Sequence, residues 1–389
     1  MFRTTVLRWA CRRSLRPDGV NKKALFVIDR FGSGGAQTQL ALLVKGFVER
    51  GWNVSVVTYY PNDFLRHRVH LEKVRVIELP GRGPLGVHVI RKLSALLRQE
   101  HWAMAVAYLP GPSVYLSIAR VIARYRGVVA VGERSSFGDS KVSPRDRITR
   151  LAFNFADFVV ANSESHAGRL REEFPRLSRK VECIRNAVDV EWFTPAADAP
   201  DGGQILCVGR VVRGKNIDGL IHALERLRDR GVTGFRVKWV GRVHDTGYKA
   251  ECDDLLSRTG LAECWQWVGE CEDVRSLYQG ASVLALPSLR EGFPNVVCEA
   301  LSCGLPCAIS DVGDAAWLTD RGRIGVLFDP NDPSSIAQGL ERLLAQPEAS
   351  MTRMRRDARV FAEREFSIGR LAEQYLALLS RRVGCASAS

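Results

Sequence analysis

Residues 281–306 read ASVLALPSLREGFPNVVCEALSCGLP: an apolar run, a short polar turn and an amphipathic segment in immediate succession. ASVLALPSL has the near-unbroken apolar character of a strand buried on both faces, and it ends in a turn. Pro294 stands where proline opens a helix, with its φ fixed and no amide hydrogen to leave unpaired. The helix is therefore predicted to begin at the Phe293-Pro294-Asn295 step. Glu291 then lies in the loop facing the helix N-terminus, and Glu299 about one and a half turns inside. Both carboxylates are expected to line one side of a cleft, with the free N–H groups and positive dipole end of the helix between them. A carboxylate accepts two hydrogen bonds and so grips vicinal hydroxyls, while the helix end favours an anion. A nucleotide sugar offers both. The alternative is two glutamates placed by chance on an ordinary helix.

The same alternation of apolar run and helical pattern extends through most of the chain. ALFVID, NVSVVTY, VRVIEL, AMAVAYL, GVVAVG and DFVVAN read as strands, with helices between most of them, and VECIRNAVD closes the series near residue 190. FTPAADAPDGG follows, with the proline and glycine content of a linker. A second series then runs through QILCVG, FRVKWVG, CWQWVG, SVLALP, PCAIS and IGVLF. Its helices are expected near Asn216, Tyr248, Asp273, Pro294, Ala315 and Pro333. Two more, over about 350–364 and 367–382, close the chain. Near-continuous apolar strands separated by helices imply parallel sheets covered on both faces. The predicted fold is α/β: two facing, doubly wound, Rossmann-like domains with a cleft between their strand ends. The boundaries are a basic segment 1–22, a first domain 23–190, a linker 191–203, a second domain 204–365, and a C-terminal helix and tail 366–389.

The 389 residues suffice for two cores, and no apolar run reaches the roughly 20 residues needed to span a bilayer. The arginine-studded N-terminus lacks the apolar region of a secretory signal, so a cytoplasmic location is expected. The ten cysteines are scattered with no C-x-x-C pair, in keeping with reduced thiols rather than zinc or disulfides. The net charge of +13 is uneven. Residues 1–200 hold 32 Lys and Arg against 18 Asp and Glu, whereas the remainder is nearly neutral. With no nucleic-acid motif in the chain, the basic half points to an anionic membrane surface or a phosphorylated acceptor, or is simply a solvated face. Val87–Arg98 is amphipathic and carries Arg91, Lys92 and Arg98. It either lies on a bilayer or packs on the core.

After the first strand, Gly32, Gly34 and Gly35 permit a tight turn and close approach to a phosphate at a helix start. The stretch is not G-x-G-x-x-G, and Thr58 and Tyr59 stand where a dinucleotide site needs an acid, which argues against a nicotinamide cofactor. In the second series Arg210 follows a strand directly and Lys215 precedes the next helix. Two such cations can neutralise a diphosphate.

GGAQ, N-A-V-D, V-G-R-x-x-x-x-K-N and E-G-F-P-N-x-x-x-E-A-x-x-x-G-x-P, in this order, resemble the retaining nucleotide-sugar glycosyltransferases of the GT-B fold, over about residues 24–380. The likeness is greatest to those that build bacterial polysaccharides, lipopolysaccharide and lipid-linked glycans. The resemblance implies that Arg210 and Lys215 hold the donor diphosphate and that Glu299 binds the ribose. It implies further that Glu291 contacts the transferred sugar, with Gly292, Phe293 and Asn295 shaping the pocket. Gly34 and Gly35 would approach the phosphate from the first domain, and Asn186 and Asp189 would lie where the domains meet. With no D-x-D motif, no metal or other cofactor is expected. The partners implied are a nucleotide-sugar donor, with UDP expected, and a saccharide acceptor, lipid-linked and reached at the inner face of the membrane. Many relatives place a histidine after the fourth strand of the first domain, but this chain has AYLPGPS there. Tyr108, Glu133 and Arg134 are the acceptor-side candidates, with a structural ion pair as the other reading of Glu133 and Arg134. A non-catalytic basic protein that binds a membrane surface or nucleic acid on the same scaffold, and a same-fold enzyme with a soluble sugar-phosphate acceptor, are the alternatives.

Overall fold

The computed structural model describes residues 22–32, 34–60, 74–79, 86–134, 143–197, 202–271 and 273–387. Most of the expected basic segment and part of the expected linker lie outside these residues. One wholly parallel sheet holds β1 (Lys23–Val27), β2 (Asn53–Thr58), β3 (Arg75–Glu78), β4 (Met104–Tyr108), β5 (Val128–Glu133), β6 (Phe158–Ala161) and β7 (Val181–Cys183). Its order is β3-β2-β1-β4-β5-β6-β7. The other holds β8 (Gln204–Val208), β9 (Arg236–Val240), β10 (Trp265–Gly269), β11 (Val283–Leu286), β12 (Cys307–Ser310) and β13 (Gly325–Phe328), in the order β10-β9-β8-β11-β12-β13. Every apolar run read as a strand forms one, because a parallel strand covered on both faces needs no polar alternation. Helices pack on both faces, as expected for two doubly wound units.

The strand order reverses at β1, which lies between β2 and β4, and again at β8, between β9 and β11. At such a reversal the helices leave on opposite faces and open a crevice beyond the strand ends. The chain segments after β1, β8 and β11 carry Gly34–Gly35, Arg210–Lys215 and Glu291–Glu299. Topology alone therefore puts the main donor-side candidates at the two crevices.

One open alternative is settled, and two features go beyond the sequence reading. The helix Val87–Gln99 buries Val89, Leu93 and Leu97 in the first core, so its apolar face is not free for a bilayer; Arg91, Lys92 and Arg98 point outward. A helix not anticipated, Pro144–Ala152, lacks an apolar stripe, and Ile148 and Leu151 are exposed. It is fastened by Arg150, which meets buried Glu133 at 3.0 Å. The last helix, Ile368–Ser387, is no appendage. Ile368, Leu371, Ala372 and Tyr375 enter the core of the first sheet against Leu40, Leu43 and Phe47. Residues that follow the second sheet in sequence thus complete the first.

Gly46 makes that crossing possible. A Cβ there would lie 2.9 Å from Ile368 Cγ2, 3.0 Å from Ala372 Cβ and 3.0 Å from the Ile368 carbonyl oxygen. On an open helix Gly→Ala stabilises by about 1 kcal/mol. Here Gly46→Ala is expected to destabilise by about 1–3 kcal/mol, measured by denaturant unfolding; a gain in stability would contradict the close crossing.

His166 is buried, and desolvation, followed by Arg150, Arg169 and Arg134, pushes its pKa down to about 4. The unfolded chain takes up this proton near pH 6.5 and the folded protein does not. This contribution to stability is therefore whole above about pH 6.5 and is lost as the pH falls toward 4. The fall in Tm between pH 7.5 and 5 is expected to be smaller in His166→Gln than in the wild type. Equal falls would contradict a buried neutral imidazole.

Candidate functional site

The helix Asn295–Ser302 begins at the predicted step. Pro294 is its N-cap, no side chain caps it, and no acid lies in its first turn. The helix Gly35–Glu49 shares these features, with Gly34 as N-cap. The two ends face each other: a Cβ on Gly35 would be 3.2 Å from Asn295 Nδ2. Side chains cap four other helices, through Ser143, Ser163, Asp245 and Asp332, but the helices that start at Val87, Pro110 and Ile217 also lack one, so it is their convergence that sets this pair apart. Two uncapped ends with converging dipoles leave N–H groups for an anion to satisfy.

The segment Asn186–Asp189 holds these ends together. Gln39 Nε2 donates to the Ala187 carbonyl at 2.7 Å, and Gln39 Oε1 accepts from the Ala187 N–H at 2.8 Å. Asn186 Nδ2 donates to Asn295 Oδ1 at 2.7 Å, and Asp189 pairs with Lys45 at 2.7 Å. The Val188 N–H donates to the Phe366 carbonyl at 2.8 Å. Sequence reasoning pointed to Asn186 and Asp189 but missed Gln39, whose polar side chain is buried on an otherwise apolar helix face.

Lys215 Nζ and Glu291 Oε1 lie 2.5 Å apart, each partly buried. The sequence assigned them to different parts of a ligand; the fold makes them partners. A phosphate entering here would compete with Glu291 for the ammonium group. Arg210 is exposed and has no ion-pair partner among the described residues. Glu299 is partly buried and accepts from Tyr278 Oη at 2.8 Å. Burial, then the Glu299 charge, raises the Tyr278 pKa, which keeps the phenol a donor. Gly292 is partly buried beside Glu291. Phe293 is buried, with its ring 6.1 Å from that of Trp317 and 6.4 Å from that of Phe366. It braces the loop from behind rather than lining a pocket.

The acceptor-side candidates are corrected. Tyr108 is fully buried and shares a hydrogen bond of 2.8 Å with Tyr375. Glu133 is the last residue of β5 rather than part of a loop, and its carboxylate is buried against Arg150. Neither is open to an acceptor. Arg134 stacks 4.1 Å over the Tyr108 ring and donates to Asn186 Oδ1, so it braces the interface. Just after β4, Leu109 has φ 73° and ψ 153°, a region nearly reserved for glycine. Such strain, of about 1–3 kcal/mol, is typical of functional sites.

Residues 33–192 match Glycosyltransferase Family 4, and residues 202–346 match Glycosyl transferases group 1. The chain belongs to the group 1 glycosyltransferases. The D-inositol 3-phosphate glycosyltransferase of Thermobifida fusca is 30% identical over 229 residues, 54% of this chain and 51% of the relative. The chain spans about half the length of the curated relatives it matches. Anabaena HepE in complex with UDP and glucose superposes with a TM-score of 0.77 at 20% identity, covering 92% of this chain and 99% of HepE. A glycosyltransferase from Rickettsia africae superposes with a TM-score of 0.80 at 16% identity, covering 93% and 98%. The fold of this group 1 chain is GT-B.

Asn295→Asp tests the anion site without disturbing its frame. The aspartate keeps the acceptor oxygen for Asn186 and adds a charge favourable to a bare helix end. The variant is expected to melt no lower than the wild type, yet to lose the rise in Tm that inorganic pyrophosphate gives the wild type. Equal stabilisation of both proteins would contradict the site.

Proposed function

We propose that this chain transfers a hexose or N-acetylhexosamine from a nucleotide diphosphate, with UDP the expected nucleotide, to a saccharide acceptor with retention of configuration. The observation that carries the reading is the pair of facing, uncapped helix ends beside Lys215, Glu291 and Glu299. The diphosphate lies between the helix ends and takes Lys215 from Glu291. Arg210, with no ion-pair partner among the described residues, folds over it. Glu299, oriented by Tyr278, receives the ribose hydroxyls, and the released Glu291 receives hydroxyls of the transferred sugar. Cleavage of the anomeric C–O bond puts negative charge on the diphosphate, where Lys215, Arg210 and the two helix ends would stabilise it. The leaving phosphate oxygen accepts the acceptor's proton on the same face. These cations do the work of a divalent ion, so the reaction is metal-independent. That HepE was solved with UDP and glucose supports a UDP-sugar donor.

For the acceptor we favour a lipid-linked saccharide of cell-envelope assembly, met at the cytoplasmic face of the membrane. The first domain exposes Val121, Ile122, Ile148, Leu151 and Phe155 on neighbouring elements, close to the outward Arg98. Apolar side chains beside cations suit an anionic bilayer. No helix among the described residues is long and apolar enough to cross one. The name of the inositol 3-phosphate relatives favours a second reading, a soluble sugar-phosphate acceptor.

Glu291→Gln and Lys215→Ala are each expected to lower kcat/KM for transfer by about 100-fold or more, and excess EDTA to leave the wild-type rate unchanged. Normal rates in both variants, or an EDTA loss restored by magnesium, would overturn the reading. Co-pelleting with anionic vesicles and transfer to a lipid-linked acceptor favours the first acceptor; transfer to a free sugar phosphate favours the second.

A further inference from the structure

The turn after β12 touches both halves of the molecule at once. Asp314 occupies the N-cap of the short helix Ala315–Leu318 but makes no capping bond there. An aspartate in that position ordinarily accepts from its own helix. Here its two oxygens accept from the backbone N–H groups of Glu164, at 2.9 Å, and Ser165, at 3.0 Å. These open the helix Glu164–Glu173, which packs on the first sheet and already has a cap of its own, Ser163 Oγ on the His166 N–H. Arg185, also from the first half, places Nη2 3.4 Å from Asp314 Oδ2 and stacks 3.9 Å over Trp317. Asp314 is only 9% exposed.

The preceding residue ties this contact to the candidate site. Gly313 has φ +61°, and a Cβ there would lie 3.0 Å from the Glu291 carbonyl oxygen and 3.6 Å from Ser165 Oγ. The turn is wedged between the Glu291 loop and the helix of the other half. We propose that Asp314 is a positioning residue, a charged latch that holds the two halves closed and so sets Glu291 in the cleft. It lies outside the set of residues proposed to hold the donor. It acts through two helix N–H groups and one guanidinium, a charge-assisted contact across the boundary between the halves. The kinetic consequence rests on the transferase reading; the latch itself does not.

The test uses the full chain with Asp314→Ala and, from the other side of the contact, Arg185→Ala. In Asp314→Ala the amides of Glu164 and Ser165 are expected to exchange about tenfold faster, and small-angle scattering to show a larger radius of gyration. The Kd for UDP should rise severalfold, because the diphosphate is proposed to lie between helix ends from both halves, and transfer kcat should fall about tenfold or more. Arg185→Ala should shift the same quantities in the same direction, by less. Wild-type exchange and scattering in a folded Asp314→Ala protein would overturn the latch, as would an unchanged kcat in a protein that does transfer sugar. If the wild type transfers no sugar, the transferase reading fails on its own, and exchange and scattering still decide the latch.

Discussion

Two helix N-termini point into the same space with no side chain to cap either. Each bare end carries partial positive charge on N–H groups that water or a ligand must satisfy. Bringing two such ends together is unfavourable unless other bonds hold them, and here the segment Asn186–Asp189 does so. It bonds to Gln39 in the first helix, to Asn295 in the second and to Phe366 behind both. The site is thus assembled by contacts that are not themselves part of the proposed chemistry. Bare helix ends of this kind attract an anion, and a diphosphate is the anion proposed for them.

The chain's path explains how the two halves stay in register. The backbone runs from the first sheet to the second and then back, and Ile368–Ser387 packs into the core it left nearly 200 residues earlier. Tyr375 bonds to Tyr108 beneath the site, and Arg50 holds Gly369 at the crossing. A molecule built this way has two connections between its halves, one at the linker and one at the returning helix. The Asp314 contact adds a third tie between the halves, made by side chain to backbone.

Much of this was legible in the sequence because parallel strands buried on both faces are unbroken apolar runs, and helix starts carry proline or glycine. The loop from Glu291 to Asn295 was readable for the same reason. What was not legible has physical causes. Pro144–Ala152 shows no apolar stripe because a buried ion pair, Arg150 with Glu133, fastens it. Tyr108 and Glu133 sit at strand ends, where sequence does not say whether a polar side chain turns into the cleft or into the core. Gln39 and Asp314 matter through partners about 150 residues away, a distance that no local pattern encodes.

In the proposed complex one diphosphate bridges the ends of two helices from different sheets. Hydrogen exchange at single-amide resolution, with and without a UDP-sugar, tests it most directly. Simultaneous protection is expected at Gly35 and in the first turn of Asn295–Ser302, with little change at other helix starts. Protection of only one of these ends, or of neither while the nucleotide binds elsewhere, would contradict it.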